Sequence, residues 1–457
     1  MYSLFKIRFN WGLYIGIIIF ILLLFPGLSW FSYFAIIISL HQFLLLFYSL
    51  GYIIPIRYLL GSFMCLQMLV GPMFAYNGLD VYQRGFLKMQ IGEADYFIYV
   101  IPAVLCFIVG LHIRANTLDG EMVNQEEIQE FVKKNPQLPY IFIGLGFVAS
   151  LSGGFFASDI GFVLYLLGGF KFIGTFLIIL GNQKLKPIFL VFVYGSVISS
   201  SLGEAMFHDL LTWLIFLGAV FSLKYKPRIE VKALFAGGFI MLALFIQLLK
   251  SDYRDATWGA GEEGGIKTLT KTYETKTENE AFFSMDKIGG SNIRINQGFI
   301  ITNIMSNIPA RVPYAGGTEL AQIVEAAVLP RILAPDKLNA GDRDFFMKWS
   351  GMPIAKGTSM GLSSVGDAYI NFGAAGGSIF MFVYGFLFSE VLLAFFRFSK
   401  TYPVLILFTS LVFYYPIRPD CELQTILGHL VKSCFLIFVM IQAWKQKFNK
   451  HYVPSSK

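Results

Sequence analysis

Charge is scarce in this chain. Of its 457 residues only 14% are Asp, Glu, Lys or Arg, where a soluble protein carries about a quarter. Cysteine is scarcer still. Cys65, Cys106, Cys421 and Cys434 are the four, three of them in apolar runs and none in a CxxC pair. That spacing excludes a disulfide framework and a cysteine-ligated zinc site. P-loop and HExxH spacings are also missing, so neither of those phosphate and zinc signatures applies.

What is abundant is apolar surface: 56% of residues are hydrophobic and the mean hydropathy is +0.62. The apolar runs reach the roughly 20 residues that cross a bilayer. The chain therefore reads as an all-α polytopic membrane protein of about twelve spans, near 11–25, 30–54, 56–75, 95–113, 140–157, 160–180, 187–203, 209–223, 233–249, 372–396, 402–417 and 424–444. No small-residue cleavage site follows the first span, which is expected to be retained.

The net charge of +7 has a topological cause rather than a nucleic-acid one. With the N-terminus in the cytoplasm, the inner segments hold Lys6, Arg8, Arg57, Arg114, Lys133, Lys134, Lys184, Lys186, Lys224, Lys226, Arg228, Lys232, Arg397, Lys400, Lys445, Lys447, Lys450 and Lys457. The short outer loops hold only Arg84, Lys88 and Arg418. The positive-inside rule then places both termini in the cytoplasm and one long loop, between spans nine and ten, outside. Three regions follow: a nine-span bundle over 1–249, the outer loop over 250–371, and a three-span bundle with a cytoplasmic tail over 372–457. The loop between Arg114 and Leu138 is acidic at its centre and ends in Lys133-Lys134, the pattern of a short amphipathic helix.

The outer loop changes character along its length. Ser251 to Gly290 is rich in Gly, Thr and Glu and is expected to be flexible, with an isolated GxGxxG-like spacing at Gly259–Gly264. Beyond it, helices are predicted at Gly298–Ile308 and Leu320–Leu329, lying at the membrane–water boundary. Four arginines stand out: Arg254 after span nine, Arg294 in NIRINQG, Arg331 in LPRILAPDK, and Arg418 at the outer mouth of span eleven. A guanidinium stays charged and presents a planar fork of donors matched to phosphate oxygens, so the four are candidates to hold a diphosphate.

Acid–base candidates are Glu204 and His208 in GEAMFHDLL, four apart and on one face if the segment is helical, and Asp367 in SSVGDAYINFG, whose plainer reading is a helix N-cap. Inside the bilayer Lys171 needs a partner, while His41 and His429 read as bundle-bonded polar residues. Asp342-Arg343-Asp344 has the DxD spacing of some metal-dependent transferases but falls in a polar outer loop, where nucleotide sugars are not supplied.

The runs NIRINQG, LPRILAPDK, GLSSVGDAYINFGAAGG and YYPIRPD, with Pro309 and Gly316-Gly317 between them, resemble the Wzy-type oligosaccharide repeat-unit polymerases (O-antigen polymerases) over roughly 290–440. The resemblance implies a fold related to the GT-C-like lipid-sugar transferases, a bacterial inner membrane location and no metal or other cofactor. It also implies an undecaprenyl-diphosphate-linked oligosaccharide as substrate, with membrane lipid around it and a chain-length regulator as a candidate partner. Arg294, Arg331 and Arg418 stand at matching positions and become substrate-binding or catalytic by implication. The chain departs from many relatives in reading SSSLGEAMFHDLL, with Glu204 and His208, where they carry an arginine, which leaves the identity of the base open among His208, Glu204 and Asp367. A ligase using the same donor and a flippase of the same lipid are the competing expectations.

Overall fold

A computed structural model describes residues 11–115, 123–153, 158–183, 187–277, 284–330 and 333–449, and these form an all-helical structure. Seven helices are long and apolar enough to cross a membrane: Trp30–Ser49, Ile56–Tyr76, Glu93–His112, Gly161–Leu180, Ile229–Gly259, Ser363–Ser399 and Leu423–Ala443. The protein is a helical membrane protein. The other five segments expected as spans are shorter or more polar. Tyr14–Leu24, Leu138–Ser152 and Ile188–Gly203 are apolar helices of 10–17 residues, His208–Tyr225 carries charge at both ends, and only Leu405–Val412 is helical within 402–417.

That last helix is about 12 Å long, far short of the roughly 30 Å hydrocarbon layer. Its end has a local cause. Pro416 lacks an N–H, and its ring would clash with the carbonyl of the residue four before it, Val412, where the helix stops. The buried carbonyl of Leu411 then accepts a hydrogen bond from His429 Nε2 at 2.7 Å, so His429 is bonded within the bundle, as the sequence suggested.

Helices approach closely where glycine removes the side chain, the packing mode that works without a hydrophobic driving force between helices. The most extensive contact is Glu93–His112 against Ser363–Ser399. A Cβ on Gly110 would collide with the Phe382 carbonyl, and one on Gly385 with the Phe107 carbonyl. Below this crossing Arg57 is buried and donates to the Leu111 carbonyl and to Ser389 Oγ, and Arg114 pairs with Glu390 at 3.3 Å.

The amphipathic helix expected after Arg114 is present as Gln125–Lys134. Asn124 caps it, Ile128, Phe131 and Val132 are buried, and Glu126–Glu127 and Lys133–Lys134 stand at its first and last turns, where they complement the macrodipole.

The polar segment folds into short helices. Gly298–Asn307 and Thr318–Val328 match expectation. Ser251–Gly290, read as flexible, instead contains the helices Ile266–Thr277 and Met285–Asn292. Two forces were overlooked. Threonine hydroxyls bond back along the first helix, Thr272 to the Thr268 carbonyl, and Lys276 pins it to the Leu248 carbonyl and to Asp252, both at 2.6 Å. Of the glycines at 259, 261 and 264, Gly264 is held to close backbone packing: a Cβ on it would strike the Leu202 carbonyl at 2.5 Å. The helix Ser363–Ser399 breaks at Gly373, whose φ of 65° and ψ of −165° suit only glycine. The break falls at the boundary expected between polar segment and span.

Candidate functional site

Three remote parts of the chain bring cations to one place. The first is the end of the Ile229–Arg254 helix, carrying Lys250 and Arg254. Tyr253 OH ties this end to the Leu202 carbonyl at 2.9 Å, and Arg254 Nε donates to the Ala205 carbonyl at 3.1 Å. The helix continues as a π turn over Asp255–Gly259, which sets the Trp258 ring 4.4 Å from the Arg254 guanidinium.

The second part is the turn after Met285–Asn292, carrying Arg294. Asn292 donates to the Gly71 carbonyl at 3.2 Å and the Gln297 amide to the Gln67 carbonyl at 3.1 Å. These bonds seat the turn on a second π turn, Leu66–Val70. π turns inside α-helices are frequent at functional sites, and the two among the described residues lie beside the same cluster.

Arg418 is the third part. It follows the helix that Pro416 cuts short, lies 3.7 Å from Asp420 and 5.5 Å from the Tyr415 ring. Gln67 Nε2 donates to Asp420 at 3.4 Å. Burial works against the charge on Arg418, but Cys421, Asp420 and the neighbouring tyrosines outweigh it and raise its pKa.

Arg254, Arg294 and Arg418 all bear electrostatically on Lys250, and Asp420 is the acid that does so. The four cations outnumber the two carboxylates that act on members of the set, Asp420 and Asp209, and this excess of positive charge suits an anion. Lys250 makes no hydrogen bond or ion pair among the described residues, and the buried Gln67 Oε1 and Gln247 Oε1 find no donor there. Of the four arginines singled out, the structure brings Arg254, Arg294 and Arg418 together; Arg331 lies outside the described residues. Lys250 was missed because a lone lysine ending the run LFIQLLK looks like an ordinary span flank.

Arg418 also faces Asp209. Asp209 lies 2.6 Å from His208 Nε2 and accepts the Tyr414 hydroxyl, forming a half-exposed His–Asp pair beside the cations. Behind it, Lys171 reaches Ser150 Oγ at 3.3 Å, lies over the Phe147 and Phe172 rings and feels the charge of Asp209. The partner it was expected to need is thus this set.

Glu204 does not join His208. Its helix ends at Gly203, Ala205 takes a φ of 53°, and the turn leaves Glu204 exposed, so the four-residue spacing does not define a shared face.

Asp367 sits elsewhere. It is buried against Glu319, inside the helix that starts at Ser363 rather than at its N-cap, which is Leu362. Asn371 Nδ2 donates to Glu319. Glu319 Oε1 finds no donor unless one carboxyl of the pair keeps its proton. Burial pushes the Glu319 carboxyl up to about 7, against hydrogen bonds from Asn371 and Asp367 that lower it. Asp367 borders a small recess of about 20 Å³ lined also by Asp342, Phe345, Phe346 and Glu422. Asp342 caps the Arg343–Ser350 helix, accepting the Phe345 amide at 2.9 Å, which accounts for the DxD spacing. The run Gly357-Thr358-Ser359-Met360-Gly361 has the spacing of a serine-hydrolase elbow but lies in irregular chain, without the strand-to-helix turn that motif needs.

A family described as a domain of unknown function (DUF8712) has a model matching residues 122–415. The chain belongs to this family. The DUF8712 match runs from the amphipathic helix through His208, the Lys250 and Arg254 helix, Arg294 and the Glu319–Asp367 pair, and stops just short of Arg418. No curated protein matches the chain, and no solved structure does.

Proposed function

We propose that this protein is a glycosyltransferase that polymerises oligosaccharide repeat units carried on undecaprenyl diphosphate, at the outer face of a bacterial inner membrane. In this reading the chain crosses the membrane twelve times with both termini in the cytoplasm, and it has the GT-C-like architecture of lipid-sugar transferases. The observation that carries the reading is the gathering of Arg254, Arg294 and Arg418 about Lys250, at the junction of a membrane helix and the polar segment.

The chemistry asks for help at two points. As the acceptor hydroxyl attacks the anomeric carbon, the bond from that carbon to the diphosphate breaks and negative charge grows on the leaving group. Cations placed beforehand stabilise that charge without reorganising. The hydroxyl proton needs a base within reach. His208, held by Asp209 next to Arg418, fills that role better than the exposed Glu204 or the enclosed Asp367. A donor anchored in the bilayer explains why the cluster stands at the end of a membrane helix, where a lipid diphosphate lies.

The test is Arg294→Ala and Arg418→Ala in cells that make the glycan. Single-unit product should persist while long chains disappear. Normal chain length in both variants would overturn the proposal.

A further inference from the structure

One membrane helix stands clear of the others. Only 6% of the apolar window of Ile229–Gly259 is buried, against 28–72% for the other six long apolar helices. Its main packing partners are the π turn that continues it, the helices Ile266–Thr277 and Met285–Asn292, and Leu202, Ala205 and Phe207 against Ile246 and Tyr253, all beside its outer end. At the other end Lys232 donates to the Leu50 carbonyl at 2.5 Å and lies over the Tyr52 ring. Between these anchors, 233–245 covers about 20 Å of helix, two-thirds of a hydrocarbon layer. Nothing lies within 4 Å of where a Cβ of Gly237 or Gly238 would stand.

The exposure is not uniform. Leu234 and Phe235 are 75% and 73% exposed, whereas Ala236, Phe239 and Ala243 are half-buried. Their spacing puts them on the face that carries Lys232 at one end and Lys250 at the other. This apolar stripe therefore leads along the membrane directly to the cationic cluster.

The geometry points to a binding site for the isoprenoid tail of a polyprenyl diphosphate along the Ala236–Phe239–Ala243 face, with the diphosphate at Lys250. This rests on the diphosphate reading of the cluster and adds where the lipid lies. Charge complementarity selects the occupant. A second membrane helix seated on this face would bring nothing to neutralise four cations at its end, whereas a diphosphate lipid supplies the anion and the apolar chain in one molecule.

The full-length protein in liposomes is exposed to a short polyprenyl diphosphate bearing a diazirine at its apolar end. Label is expected within 229–246, displaced by unlabelled undecaprenyl diphosphate. Ala236→Trp and Ala243→Trp should each reduce it about tenfold, while inorganic pyrophosphate binding to the cluster stays unchanged. Label spread over all lipid-facing helices and indifferent to competitor overturns the inference. So does an Ala236→Cys variant that cross-links two copies at this face. Incubation with lipid-linked repeat units separates the two levels. Polymer without competed label sinks the tail site alone. Competed label without polymer sinks the polymerase reading and leaves a lipid-diphosphate site.

Discussion

Replacing Glu319 by Gln should flatten the dependence of stability on pH. In the folded protein burial raises the Glu319 carboxyl from its ordinary 4.5 to about 7. The protonated form is therefore favoured by folding. Its contribution is fully present below pH 4.5, declines as pH rises, and is gone above about 7. A shift of that size corresponds to roughly 3 kcal/mol. Glutamine can still accept from Asn371 and can donate to Asp367, but it does not titrate. The assay is thermal unfolding in detergent micelles from pH 4.5 to 8, followed by the fluorescence of the buried Trp213 and the other tryptophans. The wild-type Tm should fall across this window by several degrees more than that of Glu319→Gln. Parallel curves would refute the idea that these two carboxyls share a proton.

Arg418→Lys keeps the charge but loses the planar fork, so affinity for a diphosphate lipid should drop about tenfold or more; unchanged affinity in a flotation assay would argue against a direct contact. His208→Ala should slow polymer formation about 10²- to 10⁴-fold while leaving binding of the diphosphate lipid intact, and an equal loss of binding would remove His208 from the role of base. Gly385→Ala forces the two longest-packed helices apart at the Phe107 carbonyl and should destabilise by about 1–3 kcal/mol, read as a lower Tm; a wild-type Tm would mean the helices are not in close contact.

Hydropathy located the membrane helices because burial in lipid depends on composition, which is local. It overextended the segment 402–417 because composition does not register where a helix ends; Pro416 does, and it was there to be read. The same reasoning failed for Ser251–Gly290, where polar composition suggested irregular chain but Lys276 pins a helix to the Leu248 carbonyl and Asp252. The arginines were legible one by one, as exposed-side guanidinium groups. Their meeting was not, because Gln67, Lys250, Arg294 and Arg418 are distant in sequence and only the fold joins them. Glu319 carried no signal at all: a glutamate in a first helical turn is an ordinary sight, and its pairing with Asp367 is a tertiary event.

A coil that stops in mid-bilayer leaves a carbonyl facing oil, which is tolerable only if a neighbour supplies a proton donor. For Leu411 the donors are the Tyr414 amide at 3.3 Å, within the same turn, and His429 Nε2 on the next helix. Pro416 forbids the obvious repair, which would be to wind further. Position 429 and position 416 thus act as one device split between two segments: the imide truncates, the imidazole seals the stump. Exchange His429 for leucine and the Leu411 carbonyl keeps only the longer bond from the Tyr414 amide, so a helix with no ligand contact of its own bears on how firmly the turn leading to Arg418 is held.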